Sequence, residues 1–207
     1  MCQQLKRLVD ILPEHVQCAA IVQYLQELAS DGDRKRLYDI VEQVRTVQGC
    51  PDSLKGESFA ICACEALHCR EKRQAIRFYQ ELCGLKENTH NLVLRAQVLS
   101  QILQHFLPES MDLMADLWSS LVSRPLPAHA QYLCARSGRL LLQMLCRNGR
   151  QTRARELIQL FHNMDAQVCK SITCEVQKMV DRARGWCRLQ GILFHKVQPL
   201  LLDKGYQ

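Results

Sequence analysis

One position recurs along this chain at almost equal intervals. Leu37, Ala75, Met114 and Ala154 each sit early in an amphipathic helical pattern, separated by 38, 39 and 40 residues. Around them the apolar residues fall at spacings of three and four, as in Leu37, Ile40, Val41 and Val44, or Met111, Met114, Ala115, Trp118 and Leu121, which is the period of a helix with one buried face. Each pattern follows another helical stretch across a short break, so the repeating object is a pair of helices. A lone pair cannot bury both of its apolar faces, whereas stacked pairs supply each other's core. The expectation is therefore an all-α fold, a right-handed α-solenoid of about four to five antiparallel hairpins. An irregular helical bundle is the alternative.

Turn residues set the expected boundaries. A short helix over 2–12 stops at Pro13, since proline cannot continue it. Hairpins then follow at about 14–49, 53–84, 88–124, 127–165 and 170–203, in one domain covering 1–207. Ser30-Asp31-Gly32-Asp33 separates the arms of the first, and Asp33 is placed to cap the second arm. Asp52 or Ser53 is the expected cap of the next hairpin, whose arms meet near Arg70–Glu71 and which closes at Gly84. Asn88 or Thr89 opens the third, which breaks at Pro108. Pro127 stands at a favourable first helical position of the fourth, and Asn148-Gly149 turns it.

Nine Gly and six Pro are too few for the frequent turns of an all-β protein, and 47% hydrophobic residues are too many for a disordered one. No stretch of about 18 apolar residues offers a membrane span. Met1–Leu12 lacks the pattern of a secretory leader, so a cytoplasmic or nuclear location is expected and the 12 Cys are expected to be reduced thiols. Cys18 beside Ala19 and Ala20, and Cys146 after Leu145, stand where small apolar residues would, and free Cys packs as one.

The fourth hairpin carries a resemblance. Leu140–Met164, LLLQMLCRNGRQTRARELIQLFHNM, is similar to a tetratricopeptide or pentatricopeptide unit: an apolar first helix, a Gly-containing turn after Cys-Arg-Asn, then small Ala154 and Leu157 on the second helix. Ala66–Leu82 resembles it less well and its turn lacks Gly, while the third unit has Met114 in place of the small residue. The units are also longer than the 34 residues of the tetratricopeptide repeat. The resemblance implies a binding scaffold.

Residues that could carry chemistry do not converge on paper. In Cys62-Ala63-Cys64-Glu65-Ala66-Leu67-His68-Cys69, Cys62 and Cys69 are two turns apart on one face and Cys64 points elsewhere, which does not make the four-ligand set of a structural zinc site. Seven His are scattered, and no nucleophile elbow, phosphate loop or dinucleotide motif is present. A non-enzyme without cofactor or metal is expected.

Charge is more informative. Residues 130–207 hold 13 Lys+Arg against 5 Asp+Glu, and residues 1–129 hold 14 against 16. The basic residues gather at the start of second arms: Arg34, Lys35 and Arg36; Arg70, Lys72 and Arg73; Arg147, Arg150, Arg153 and Arg155. Lys178, Arg182, Arg184 and Arg188 would extend them, and the third unit breaks the row with Glu109 and Asp112. Stacked in register, these residues form a positive edge, which is either a solvated surface or a site for an anionic partner. Tyr38, Phe78, Tyr79, Trp118 and Phe161 fall on apolar faces and are expected in the core, leaving Trp186 as the aromatic to consider for stacking, with a helix–helix anchor as its first expected role. The function expected first is an adaptor holding a protein or peptide, with a larger assembly or a longer repeat array as its possible setting. The alternative is RNA binding along the basic edge.

Overall fold

A computed structural model describes residues 14–105, 110–161 and 164, and these contain eight helices and no strand. They are α1 (Glu14–Ser30), α2 (Arg34–Thr46), α3 (Asp52–His68), α4 (Lys72–Gly84), α5 (Thr89–His105), α6 (Met111–Val122), α7 (Ala128–Arg147) and α8 (Gln151–Phe161). The helices expected at 2–12 and within 170–203 lie outside the described residues. By its contacts the chain divides between Ile102 and Leu103 into two compact units, within the last turn of α5.

Three of the turns between the two arms of a hairpin are built the same way; that of the third hairpin, at 106–109, lies outside the described residues. The N–H of Asp33 donates to the Leu28 carbonyl and that of Gly32 to Ala29. Glu71 and Arg70 repeat this on Ala66 and Leu67, and Arg150 and Gly149 on Leu145 and Cys146. This pair of bonds is the Schellman motif, which satisfies the last carbonyls of the first arm and requires a left-handed residue just past its end. That residue is Gly32 (φ +72°), Arg70 (φ +61°) or Gly149 (φ +70°). Arg70 is 38 residues from Gly32 and 79 from Gly149, the same intervals that separate Leu37, Ala75 and Ala154. The second hairpin therefore makes the turn without glycine, at the cost of a side chain in a region that disfavours one.

The second arms also bury the same positions. Leu37, Val41 and Val44 on α2 correspond to Ala75, Tyr79 and Leu82 on α4, to Met114, Trp118 and Leu121 on α6, and to Ala154, Ile158 and Phe161 on α8, and all twelve are buried. Met114 fills the place that Ala75 and Ala154 occupy, so the third second arm is wider at this point without leaving the pattern.

In the first unit, α3 packs against α1, α2 and α4. It is enclosed on nearly every side, and only Ser53 and His68 of its 17 residues are exposed. Ala60, Cys62, Ala63 and Ala66 make this approach possible, since small side chains let neighbouring backbones come close. Gly56 does the same toward α5, because a Cβ there would lie 2.6 Å from Asn91 Oδ1. Asn91 is held by donating to the Lys86 carbonyl (2.9 Å), while its backbone N–H donates to Asn88 Oδ1 (2.8 Å). Asn88 is thus the cap of α5. Asp33 caps α2, accepting from the Arg36 N–H at 3.3 Å. The caps expected from Asp52 or Ser53 and from a helical Pro127 are displaced by one position: Pro51 and Pro127 occupy the N-cap sites of α3 and α7, with no side-chain cap. Proline's fixed φ suits the entry to a helix, and it brings no side-chain acceptor.

In the second unit α6, α7 and α8 all touch one another. Trp118 of α6 lies flat over Gly138 of α7, where a Cβ would sit 2.4 Å from its ring. Its indole N–H donates to the Cys134 carbonyl (2.8 Å), and the Phe161 ring of α8 tilts against it with centroids 5.0 Å apart.

Candidate binding surface

Arg34, Lys35 and Arg36 form the exposed first turn of α2, and half-buried Lys72 and exposed Arg73 begin α4. In the second unit Arg147 ends α7, Arg150 lies in the turn, and Arg153 and Arg155 follow in α8. Arg182, Arg184, Arg188 and Trp186 lie outside the described residues. Positive charge at a helix N-terminus opposes the helix dipole, so helix stability does not explain the placements that begin α2, α4 and α8, whereas Arg147 at a C-terminus is favoured by it.

Much of this charge is answered by the neighbouring second arm. Arg34 pairs with Glu71 at 2.8 Å, and Arg45 with Glu81 at 3.4 Å as well as with Glu42 on its own helix. Arg150 reaches Asp112 at 3.8 Å, and Arg153 pairs with Asp116 at 3.0 Å and Glu156 at 2.9 Å. The cross-arm pairs span 37, 36, 38 and 37 residues, one narrow register. Both pairs run in the same order along α2 and α4, and along α6 and α8, so within each unit the second arms lie side by side and parallel. The hydrogen bond to Glu156 and the charge of Asp116 raise the Arg153 pKa above its usual value. Beside Glu71, the Tyr38 hydroxyl donates to the carboxylate (3.4 Å), and its ring meets Phe78 at 5.4 Å. Burial, and then the Glu71 charge, push its pKa up.

Within each unit, then, the basic row is interleaved with carboxylates. Arg36 pairs with Asp33 at 3.5 Å. Among the described residues Lys35, Arg73, Arg147 and Arg155 enter no ion pair. Between α6 and α8 an open depression of about 440 Å³ is lined by Asp116, Ser119, Arg153, Glu156, Gln159 and Leu160, with charges of both signs.

The cysteine cluster spans the second half of α3 and its C-cap, Cys69. Cys62 is buried, Cys64 and Cys69 are half-buried, and Cys69 Sγ donates to Glu65 Oε1 (3.2 Å), with His68 Nδ1 3.8 Å from the other oxygen. That hydrogen bond raises the Cys69 pKa, and burial pushes Cys62 up to about 12. The nucleophilic form of cysteine is the thiolate, which this environment disfavours. Among the described residues no group of three His, Cys, Asp or Glu is arranged to hold a metal ion, and no helix is long and apolar enough to cross a membrane.

Two structural side chains escaped the sequence reading. Arg95, in the middle of α5, is 1% exposed. It donates from Nε to the Leu82 carbonyl (3.2 Å) and from Nη2 to the Leu85 carbonyl (2.8 Å), with Glu87 3.8 Å from Nη1. A buried guanidinium thereby closes the C-terminal end of α4, where helix carbonyls lack partners. The other is Gly138, a plain helical glycine until the position of Trp118 is known. A cation within an apolar pattern and a mid-helix glycine were their only signals.

No protein-family model matches the chain, and neither a curated protein nor a solved structure is significantly similar to it.

Proposed function

We propose that this chain is a non-catalytic helical-repeat scaffold, a right-handed α-solenoid that holds a protein or peptide partner along the exposed faces of its hairpins. The observation that carries the reading is repetition in three dimensions. The left-handed turn residue, the buried triplet of the second arm and the cross-arm ion pairs all return at the interval first seen in the sequence. Units of one shape stacked with one register generate a continuous surface, and such arrays work by binding along it. Helices adjacent in each unit are also near neighbours in chain order, as nearest-neighbour stacking requires.

The test is crosslinking in the cells that make the protein, with identification of the captured chains, followed by reconstitution with the purified candidate. A stoichiometric complex in sedimentation, lost on substitution of exposed hairpin residues with the fold intact, is the expected result. A monomer that crosslinks to no protein and reconstitutes with none would remove the adaptor reading.

A further inference from the structure

The longest stretch without carboxylates runs from Leu117 to Arg155: 39 residues with seven Arg, no Lys and no Asp or Glu. The acids that flank it, Asp112, Asp116 and Glu156, are the ones that pair with Arg150 and Arg153. The helix at its centre, α7, carries no Asp or Glu of its own. Its inner side, with Cys134, Gly138, Leu141 and Leu145, packs on α6 and α8. Its outer side presents His129, Tyr132, Arg136, Arg139, Gln143 and Arg147, whose spacings of three, four, three, four and four place them on one face. From His129 to Arg147 this face is about 27 Å long.

Tyr132 is 57% exposed, the most exposed large hydrophobic side chain described. His129 and Arg136 are exposed one turn to either side of it, and Arg147 is exposed at the end of the helix. Among the described residues neither Arg136 nor Arg147 has an ion pair or side-chain hydrogen bond.

We infer that the outer face of α7 is a binding surface for single-stranded RNA, with Arg136 and Arg147 on phosphates and the Tyr132 ring stacked on a base. Three features select this occupant. The guanidinium meets phosphate oxygens in a bidentate fork, and this segment uses Arg exclusively over Lys. An exposed ring between cations on a straight face suits a base that is free to unstack, as in a single strand and not in a duplex. A protein partner would need an apolar centre to its interface, whereas this face offers one exposed ring among polar groups. His129, one turn from that ring, supplies an imidazole for the 2′-hydroxyl. The inference goes beyond the scaffold reading and stands or falls separately from it.

The test is fluorescence anisotropy of the full chain with a short labelled oligouridylate over a salt series. Binding that weakens steeply with salt is expected. Tyr132→Ala should lose roughly five- to hundredfold in affinity, the worth of one stacked base. Arg136→Glu with Arg147→Glu should abolish binding, with helix content checked by circular dichroism. The control is Lys35→Glu with Arg73→Glu, which removes as much exposed positive charge from the first unit and should leave binding unchanged. No binding at low salt overturns the inference. So does equal loss in the control, which would mean diffuse attraction by net charge. Equal affinity for the matching DNA removes RNA as the occupant, and competition by a glutamate-rich peptide with no effect of Tyr132→Ala assigns the face to an acidic protein.

Discussion

At the residue scale, two positions show how conformation and packing oppose average propensity. Arg70 holds a left-handed φ that its hairpin-mates give to glycine, and a non-glycine residue there costs roughly 1 kcal/mol. Arg70→Gly should therefore raise the unfolding free energy by about 1 kcal/mol, and Gly149→Ala should lower it by about as much, as read from urea denaturation. An unchanged midpoint for both would mean that the turns relax freely. Gly138 is the converse case. Alanine is the better helix former by about 1 kcal/mol, yet its methyl would sit inside van der Waals distance of both Trp118 and Phe161. Overpacking of about 3 kcal/mol then wins, so Gly138→Ala should destabilise by about 2 kcal/mol and lower the melting temperature.

At the element scale, the turn after α4 depends on a side chain from α5. Removing the Arg95 guanidinium leaves the Leu85 carbonyl without that donor and the Leu82 carbonyl with only the Leu85 N–H at 3.4 Å, a loss on the order of 3 kcal/mol. Arg95→Met should show it in denaturant melts, and Arg95→Lys should not restore it, because one ammonium on a flexible stem cannot reproduce the fork. Full stability of the lysine variant would show that charge alone suffices. The cross-arm ion pairs belong to a different class of interaction. Their side chains are largely exposed, so a double-mutant cycle on Arg153 and Asp116 should give a coupling of less than about 1 kcal/mol that falls with salt. They hold register more than they hold the fold. A coupling of several kcal/mol would contradict that view.

At the scale of the whole molecule, alkaline stability reports on both units at once. Cys62 in the first and Cys134 in the second are 0% and 1% exposed, and burial pushes both thiols up to about 12. An unfolded thiol ionises near 8.5, so between that pH and about 12 the unfolded state loses a proton that the folded state keeps. Stability contributed by these groups is complete below pH 8.5 and declines above it, by up to about 1.4 kcal/mol per pH unit for each thiol. Cys62→Ala with Cys134→Ala should flatten that decline in melts taken from pH 8 to 11. Both thiols should also resist alkylation until denaturant is added, and rapid labelling of the native chain would refute their burial.

Local order was legible because it is written locally. Two-helix units follow from spacings of three and four, and the turns follow from Gly32 and Gly149. The buried second-arm aromatics Tyr79, Trp118 and Phe161 follow from the same face as their aliphatic neighbours, whereas Tyr38 and Phe78, expected in the core with them, are only half-buried and pack on each other. The candidate surface was only half legible. The positions of Arg34, Lys35, Arg36, Lys72, Arg73, Arg150, Arg153 and Arg155 at arm starts could be read directly, but their neutralisation could not. Glu71, Asp112 and Asp116 lie 37 or 38 residues away from their partners, and which face of one arm meets the next is a matter of packing.

The sequence by itself determined that the described part of this chain is helical, roughly where its helices turn, and the interval at which they repeat, because period and left-handed turns depend on residues within a few positions of one another. Only the tertiary structure decided that α3 is enclosed, that Arg95 closes a neighbouring helix and that Gly138 makes room for an indole. It alone separated the arginines that bind their own protein from those, such as Arg136 and Arg147, that do not. Those outcomes depend on distances between residues far apart in the chain, which no local pattern records.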